Sequence, residues 1–212
     1  MPKVFVVDDD SDMRESLSGL IDLLGYEVEV FPSAASFRRC YQPARPNCLV
    51  LDVQLPRQSG LELYEQLLRD GIRIPVIFIT AHADISTAVA AMKTGAIEFL
   101  EKPFKRSDLE ANIARAMEID QGWSEREEEF SELERRMSQL TDRELETLAL
   151  VLDGEPNKVI ASRLLLSERA VEMRRASIMR KLNARTVSEL ANVAITHRLL
   201  AELREASRQN PT

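Results

Sequence analysis

The sequence has few cysteines and no long apolar run, and each shortage excludes a class of protein. Its two cysteines, Cys40 and Cys48, show neither a C-x-x-C pattern nor metal-ligand spacing, so we expect reduced structural thiols. The longest apolar runs have the length of one strand, as at residues 76–80, far short of the ~20 residues of a membrane helix. Residues 4–7 lead directly into three aspartates, which a secretory signal would not contain. We therefore expect a cytoplasmic protein with no membrane association.

The length and charge of the chain indicate two parts with different roles. A chain of 212 residues, 44% hydrophobic and 30% charged, is long enough for two domains and can bury a core. Its net charge of −7 is uneven: residues 1–120 carry −6, residues 121–138 carry −3 and residues 139–212 carry +2. Within the last part, residues 168–185 have six basic and two acidic side chains. An acidic front and a locally basic rear predict different partners for the two ends.

The front 120 residues alternate short β-branched runs with amphipathic stretches. The strand-like runs are at 4–7, 28–31, 48–51, 76–80 and 97–100. The helix-period stretches are near 12–24, 33–41, 60–70, 85–94 and 107–118. This alternation predicts an α/β domain with a doubly wound parallel sheet of five strands in the flavodoxin-like order 2-1-3-4-5. Ser107 and Glu110 have the spacing of a capping box, which predicts that the last of these helices begins at Ser107.

The rest of the sequence predicts a helical linker and an all-α domain. Residues 121–138 are polar, with a thin apolar stripe at Trp123, Phe130, Leu133 and Met137 that continues to Leu140. The stripe indicates either a solvated connector or a helix that pairs with a partner. From residue 139 the pattern is helical throughout and predicts four helices, the first opened by a capping box at residues 141–144. We therefore predict domains at 1–120 and 139–212, joined by a linker at 121–138.

Polar side chains follow the predicted strands, where ligands gather in a doubly wound sheet. They are Asp8, Asp9 and Asp10 at the end of the first strand, Asp52 at the end of the third, Thr80 at the end of the fourth and Lys102 after the fifth. Two carboxylates ~4–5 Å apart repel by roughly 3–4 kcal/mol at an effective dielectric of about 20. A divalent cation relieves this repulsion, and oxygen ligands suit Mg²⁺. A neutralised aspartate is then a competent nucleophile toward phosphorus, with a lysine placed to meet phosphoryl charge.

The segments around these residues resemble the receiver domains of response regulators, over the whole front domain. The matching segments are Val6-Val7-Asp8-Asp9, Leu49-Val50-Leu51-Asp52 with Leu55-Pro56 and Gly60, Ile79-Thr80-Ala81, and Phe99-Leu100-Glu101-Lys102-Pro103-Phe104. The resemblance implies that Asp52 accepts a phosphoryl group from the phosphohistidine of a sensor histidine kinase. It implies a Mg²⁺ site formed by Asp8, Asp9, Asp52 and the backbone carbonyl of Gln54.

The same resemblance assigns the remaining receiver residues. Thr80 and Lys102 would bind the phosphoryl oxygens, and the Lys102–Pro103 peptide bond would be cis. Thr80 and Phe99 would form the switch, in which the threonine moves inward and the phenylalanine rotates into the vacated space. Asp10 matches a more variable acidic position, and His82 is expected to be a solvated loop residue.

The basic segment near the rear has the plan of a helix-turn-helix, in which a short helix and a tight turn precede a longer helix that enters the major groove. Four segments resemble the LuxR/FixJ-type DNA-binding domain: 140–144, 154–161, 166–171 and 178–182. The whole chain resembles the FixJ-like two-domain transcription regulators. By that resemblance, the base-reading residues are Glu172, Met173 and Ala176. The phosphate contacts would be Lys158, Arg169, Arg174, Arg175, Arg180 and Lys181.

Three residues depart from the family pattern. Leu165 stands where glycine is common in the turn, Glu172 where lysine is frequent, and Arg174 where histidine is common. A non-glycine residue in the turn predicts strain or a different turn shape. These departures bear on the DNA sequence and the affinity rather than on the fold.

The resemblance implies a regulator and not a turnover enzyme, apart from phosphoryl transfer to its own aspartate and slow hydrolysis. The expected partners are a sensor histidine kinase, double-stranded promoter DNA, RNA polymerase and a second copy of the chain. Phosphorylation would form the homodimer through the surface of helix 85–94, strand 97–100 and helix 107–118, including Val89 and Lys93. Two alternatives are relief of inhibition without dimerisation and a constitutive dimer formed by the linker stripe.

Two further functions are compatible with parts of the sequence. The helical tail could bind protein or RNA instead of duplex DNA. A Mg²⁺-dependent aspartyl phosphatase would use the same carboxylates. It is disfavoured because Val53 and Gln54 follow Asp52, which leaves no second carboxylate two residues further on as acid or base.

Overall fold

The computed structural model describes residues 2–43, 45–81 and 85–209, with the side chains of residues 85–86 and 203–209 excepted. The described residues form five strands: β1 (Lys3–Val7), β2 (Glu27–Phe31), β3 (Asn47–Asp52), β4 (Val76–Thr80) and β5 (Glu98–Glu101). They also form nine helices: α1 (Ser11–Leu23), α2 (Ala34–Cys40), α3 (Gly60–Arg69), α4 (Ile85–Lys93), α5 (Arg106–Met137), α6 (Asp142–Leu152), α7 (Asn157–Arg163), α8 (Glu168–Lys181) and α9 (Val187–Gln209). His82 lies outside the described residues.

The strands form one parallel sheet in the order β2-β1-β3-β4-β5, which confirms the predicted doubly wound fold. Alternate side chains of β1 enter different cores: Phe5 and Val7 point to one, and Val4 and Val6 to the other. Helices α2, α3 and α4 complete the first core, and α1 and α5 complete the second. Because all strands are parallel, their carboxyl ends meet at one edge of the sheet.

Two units make up the chain, the first ending at Glu125 and the second beginning at Arg126. The division falls inside α5, so the predicted linker at 121–138 contributes to both units. α5 itself is continuous from Arg106 to Met137, and it joins the helix expected near 107–118 to the helical linker.

The prediction that Ser107 caps this helix is wrong. The amides of Asp108 and Leu109 donate to the carbonyl of Lys105, so the helix begins before Ser107. A capping residue needs an extended backbone, whereas Ser107 already lies within the first turn. Its hydroxyl donates to the carboxylate of Asp108 instead, at 3.2 Å.

Helices α6 to α9 form the all-α domain that the sequence predicted. α6 begins with the predicted capping box, in which Thr141 and Glu144 bond to each other's backbone amides. α8 is capped by Ser167, whose hydroxyl accepts from the amide of Ala170 at 3.2 Å. The core of this unit lies between the helices and includes Leu148, Val151, Ile160, Val171, Ile178, Leu182 and Leu190.

Part of the apolar stripe of the linker is buried. Phe130 and Leu133 are buried, and the ring of Phe130 stacks on the imidazole of His197 in α9, with centroids 6.0 Å apart. These two side chains are therefore already covered by the chain itself.

The two cysteines have different surroundings. Both are free thiols: Cys40 is exposed at the end of α2, and Cys48 is fully buried in β3. Among the described residues, no helix is long and apolar enough to cross a membrane.

Candidate functional sites

Three carboxylates lie together at the carboxyl edge of the sheet. Asp8 and Asp9 follow β1, Asp52 ends β3, and each supplies a carboxylate oxygen within 4.8 Å of the others. Asp8 and Asp52 are buried, whereas Asp9 is exposed. The structure brings these residues together because β1 and β3 are adjacent parallel strands.

Asp10 does not join the three carboxylates. Its side chain caps α1 by accepting from the amides of Asp12 at 2.9 Å and Met13 at 3.3 Å. Its role in the structure is therefore to begin the first helix.

The ammonium of Lys102 lies between the two buried carboxylates. Its Nζ is 2.8 Å from Asp8 Oδ2 and 2.6 Å from Asp52 Oδ2. Lys102 follows β5, and its peptide bond to Pro103 is cis, as expected. Burial lowers the pKa of Lys102, but the hydrogen bonds and charges of Asp52 and Asp8 outweigh burial and raise this pKa above its ordinary value. The side chain is thus held in its charged form beside Asp52.

The Asp52 carboxylate is poorly solvated. Burial, together with the charge of Asp8, raises the pKa of Asp52. The Lys102 ammonium and the Gln54 amide, which donates to Oδ1 at 2.8 Å, oppose this rise. A desolvated carboxylate beside a second one gains from a bound cation, and three carboxylates with oxygen ligands fit Mg²⁺.

Two contacts at this edge were not evident in the sequence. Arg14 Nη1 donates to the backbone carbonyl of Asp8 at 2.8 Å. Gly60 donates its amide to the carbonyl of Val53 at 2.9 Å, and a Cβ at Gly60 would overlap the carbonyl oxygen of Asp52. The only sign of this close approach in the sequence is the glycine itself, at the first position of a helix.

Thr80 and Phe99, the predicted switch residues, lie on neighbouring strands. Thr80 is fully buried at the end of β4, and its backbone carbonyl accepts from the amide of Lys102 at 2.7 Å. Phe99 pairs with Phe78 across β4 and β5 and packs, half-buried, against the first core. The backbone therefore links Thr80 directly to the lysine that bridges the carboxylates.

Helix α4 presents an apolar surface to solvent. Val89 and Met92 lie about one turn apart and are 47% and 48% exposed. With Ala88 and the exposed Lys93, they line a shallow depression. Val89 and Met92 therefore form a small exposed apolar patch on α4.

Helix α8 has one buried face and one exposed face. Val171 and Ile178 are buried in the core of the second unit, as predicted, and Leu182 follows them at the C-cap. Six of the predicted DNA-contact residues on α7 and α8 are exposed: Lys158, Arg169, Glu172, Met173, Ala176 and Arg180.

The other three predicted contacts are less accessible. Arg174 and Arg175 are half-buried, and Arg175 Nη1 donates to Asn157 Oδ1 of α7 at 2.9 Å. The ammonium of Lys181 lies 2.6 Å from Glu144 Oε2 of α6. Lys181 therefore has a partner inside the unit.

Glu144 has more contacts than its predicted role as a cap requires. Its carboxylate also accepts from the hydroxyl of Ser177 at 2.7 Å. Burial alone would raise the pKa of Glu144, but the Lys181 ammonium, the Thr141 amide and the Ser177 hydroxyl lower it to about 2. Sequence reasoning missed these contacts because Lys181 is 37 residues away along the chain.

The turn between α7 and α8 has an unusual residue. Leu165 has a φ of 54°, in the left-handed region that favours glycine, and is 93% exposed. The expected strain at this departure from the family pattern is therefore present in the backbone.

Comparison with known proteins agrees with both parts of the fold. Residues 4–114 match the family model of the response regulator receiver domain, and residues 138–194 match that of bacterial regulatory proteins, luxR family. Nodulation protein W of Bradyrhizobium diazoefficiens is 40% identical over 193 residues, which cover 91% of this chain and 85% of that protein. The transcriptional regulatory protein FixJ of Azorhizobium caulinodans is 38% identical over 209 residues, covering 99% of this chain and 97% of that protein.

Solved structures give the same result. The response regulator StyR is 42% identical, with a TM-score of 0.87 over 92% of this chain and 98% of that one. Full-length FixJ from B. japonicum is 34% identical, with a TM-score of 0.56 over 93% of this chain and 97% of that one.

A receiver fold followed by a luxR-type domain defines a DNA-binding response regulator. The chain belongs to the FixJ-like members of this family, which regulate transcription within two-component systems.

Proposed function

We propose that Asp52 accepts a phosphoryl group from the phosphohistidine of a sensor histidine kinase. A carboxylate oxygen of Asp52 forms the new bond to phosphorus as the bond from phosphorus to the histidine nitrogen breaks. The observation that carries this proposal is the Lys102 ammonium, 2.6 Å from Asp52 and 2.8 Å from Asp8. The same ammonium can meet the negative charge of a phosphoryl group on Asp52, and the Thr80 hydroxyl donates to another of its oxygens.

The proposed cofactor is Mg²⁺, held by Asp8, Asp9, Asp52 and the backbone carbonyl of Gln54. Its support is the cluster of three carboxylates, each with an oxygen within 4.8 Å of the others. When bound, the ion offsets the repulsion between the carboxylates and the incoming phosphoryl group. Lys102 and Thr80 orient that group, and Phe99 on the neighbouring strand follows the movement of Thr80.

Phosphorylation is tested with a small phosphodonor. With Mg²⁺ and acetyl phosphate, the wild-type chain should gain one acid-stable, alkali-labile phosphoryl group, detected by intact-mass spectrometry. Asp52→Asn should abolish it, whereas Asp10→Asn should retain it because Asp10 only caps α1. Labelling of Asp52→Asn at the wild-type level would contradict the assignment. Lys102→Ala should impair the response to phosphorylation.

We further propose that phosphorylation pairs two copies of the chain through α4. The support is the exposed apolar pair Val89 and Met92, beside the exposed Lys93. The rival stripe on the linker is less suited, because Phe130 and Leu133 are already buried. Pairing makes the second DNA contact intramolecular and can raise avidity by a factor of ~10²–10⁴.

Sedimentation with and without beryllofluoride and Mg²⁺ tests the dimer. The mass should double only with beryllofluoride, and Val89→Glu should prevent this. Leu23→Glu is the matched control, because Leu23 is 75% exposed on α1 and lies on another helix. An unchanged mass with rising DNA affinity would indicate relief of inhibition, and a dimer without beryllofluoride would indicate a constitutive one.

We propose that the activated protein binds promoter DNA through α8 and contacts RNA polymerase at the promoter. Glu172, Met173 and Ala176 read base edges, while exposed basic residues such as Arg180 contact phosphates. Apart from transfer to and slow hydrolysis from its own aspartate, the protein turns over no substrate. It acts in the cytoplasm, where its DNA target is found.

A further inference from the structure

The C-terminal end of α8 is tied to two other parts of the second unit. Lys181, the last residue of α8, lies 2.6 Å from Glu144 Oε2 in the first turn of α6. The same ammonium donates to the backbone carbonyl of Gln139 at 2.9 Å. Gln139 lies two residues beyond the end of α5. One side chain thus connects the segment that follows α5, the start of α6 and the end of α8.

Glu144, the acidic partner of Lys181, is buried and accepts further hydrogen bonds from two other residues. The Glu144 carboxylate accepts from the Thr141 amide at 2.9 Å and from the Ser177 hydroxyl of α8 at 2.7 Å. A buried carboxylate that loses its partners is strongly unfavourable, so few arrangements of α8 satisfy Glu144. Two residues of α8, one turn apart, therefore fix both the rotation and the position of that helix on α6.

We infer that Lys181 is a positioning residue, which holds α8 in its DNA-binding orientation through Glu144 and links this orientation to the linker end through the carbonyl of Gln139. The inference rests on the proposed entry of α8 into the major groove. It replaces the prediction that Lys181 contacts phosphate. Two of the three ammonium donors are already used within the unit, at 2.6 Å and 2.9 Å.

The two roles predict opposite effects of neutralising Glu144. If Lys181 contacted phosphate, Glu144→Gln would remove a competing negative charge and strengthen DNA binding. If Lys181 positions α8, Glu144→Gln removes the group that holds it, and binding weakens. Ser177→Ala should also weaken binding, although it changes no charge.

The experiment measures DNA affinity of the full-length chain with beryllofluoride and Mg²⁺, using a duplex that the protein selects from a random-sequence pool. Glu144→Gln and Lys181→Met should each weaken binding by about tenfold, a size typical of residues in one ion-pair network. The double variant should bind about as weakly as either single variant. Lys181→Arg, which can still pair with Glu144, should recover part of the loss. Glu146→Gln, an exposed acid on the same helix, is the control that should not weaken binding.

Folding and salt dependence distinguish a positioning role from misfolding and from a phosphate contact. Circular dichroism gives the unfolding temperature of each variant, and DNA binding is measured below that temperature. If Lys181→Met does not fold, Ser177→Ala provides the milder change. Arg180→Ala, next to Lys181 and exposed, should lower the salt slope by about 0.9 as a phosphate contact. If Arg180→Ala left the salt slope unchanged, the proposed DNA-binding face of α8 would be overturned. Stronger or unchanged binding by Glu144→Gln, with a lower salt slope for Lys181→Met, would overturn the positioning role alone.

Discussion

Gly60 lies against the backbone of Asp52, so close that a Cβ at Gly60 would overlap the carbonyl oxygen of the aspartate. The start of α3 therefore packs directly against the backbone of the proposed phosphoacceptor. The amide of Gly60 also donates to the carbonyl of Val53 at 2.9 Å, which holds the start of α3 in this position. The position of Asp52 depends on a residue that has no side chain.

Gly60→Ala should destabilise the receiver by about 1–3 kcal/mol, because the added methyl must displace backbone. It should also slow labelling of Asp52 by acetyl phosphate. Gly19→Ala is the matched control: Gly19 lies inside α1 with open space around its Cβ position, and alanine there should stabilise by about 0.5–1 kcal/mol. Urea unfolding gives both values. Wild-type stability and labelling in Gly60→Ala would contradict the close approach.

Exposed residues of α7 and α8 should differ in their effects on DNA binding. Lys158→Ala and Arg180→Ala should weaken binding about equally across sequences and lower the salt slope by about one each, because each removes a proposed phosphate contact. Replacing Glu172 or Met173 should instead change the sequence preference. Anisotropy titrations at several salt concentrations, with two unrelated duplexes, distinguish these outcomes. A sequence-selective loss in Arg180→Ala would assign that arginine to base reading.

Leu165→Gly should stabilise the second unit. Leu165 has a φ of 54° and is 93% exposed, so its replacement relieves backbone strain without loss of buried surface. Relief of a left-handed leucine is worth about 1–2 kcal/mol, from which the extra chain entropy of glycine in the unfolded state subtracts about 0.4–1 kcal/mol. Leu165→Ala keeps the strain and should change little. Equal stabilisation by alanine, measured by thermal unfolding, would assign the effect to the exposed side chain instead.

The stability of the second unit should fall at acid pH through Glu144. Its pKa is lowered from 4.5 to about 2 in the folded protein, so the carboxylate stabilises fully above the unfolded value. This contribution diminishes as the pH falls below about 4.5 and is lost near 2. Glu144→Gln should therefore be less stable than wild type at neutral pH, with the difference shrinking across this range. Amide hydrogen exchange of α8 measures this difference in stability at each pH. The control Glu146→Gln should have the stability of wild type throughout.

Local patterns and strand alternation were enough to predict the doubly wound parallel sheet and its carboxylate edge. The positions of Asp8 and Asp52 follow from β1 and β3 being parallel, since both strands end at the same edge. The capping box of Thr141 and Glu144 also depends only on local spacing. Features set by short-range geometry were therefore visible in the sequence.

The features that escaped prediction depend on packing between distant segments. A helical wheel places Lys181 beside basic neighbours, but it does not show that α6 brings Glu144 to within 2.6 Å. The cap predicted at Ser107 failed for a related reason, because the carbonyl of Lys105 had already closed the first turn. Gly60 was visible only as one letter of a motif, whereas its function is the absence of a side chain next to Asp52.

The unequal exposure of the two thiols gives the wild-type protein a chemical reporter of its own opening. Cys40 is exposed and should react with a maleimide at once, whereas Cys48 lies fully buried in the central strand β3, and burial raises the pKa of its thiol. A maleimide can reach Cys48 only when the sheet opens, so its rate of modification follows the frequency of that opening. The mass of the labelled protein shows whether one or both thiols have reacted. Comparing the rate of the second reaction with and without a phosphodonor then measures, without any substitution, how the proposed phosphorylation of Asp52 changes the opening of the sheet.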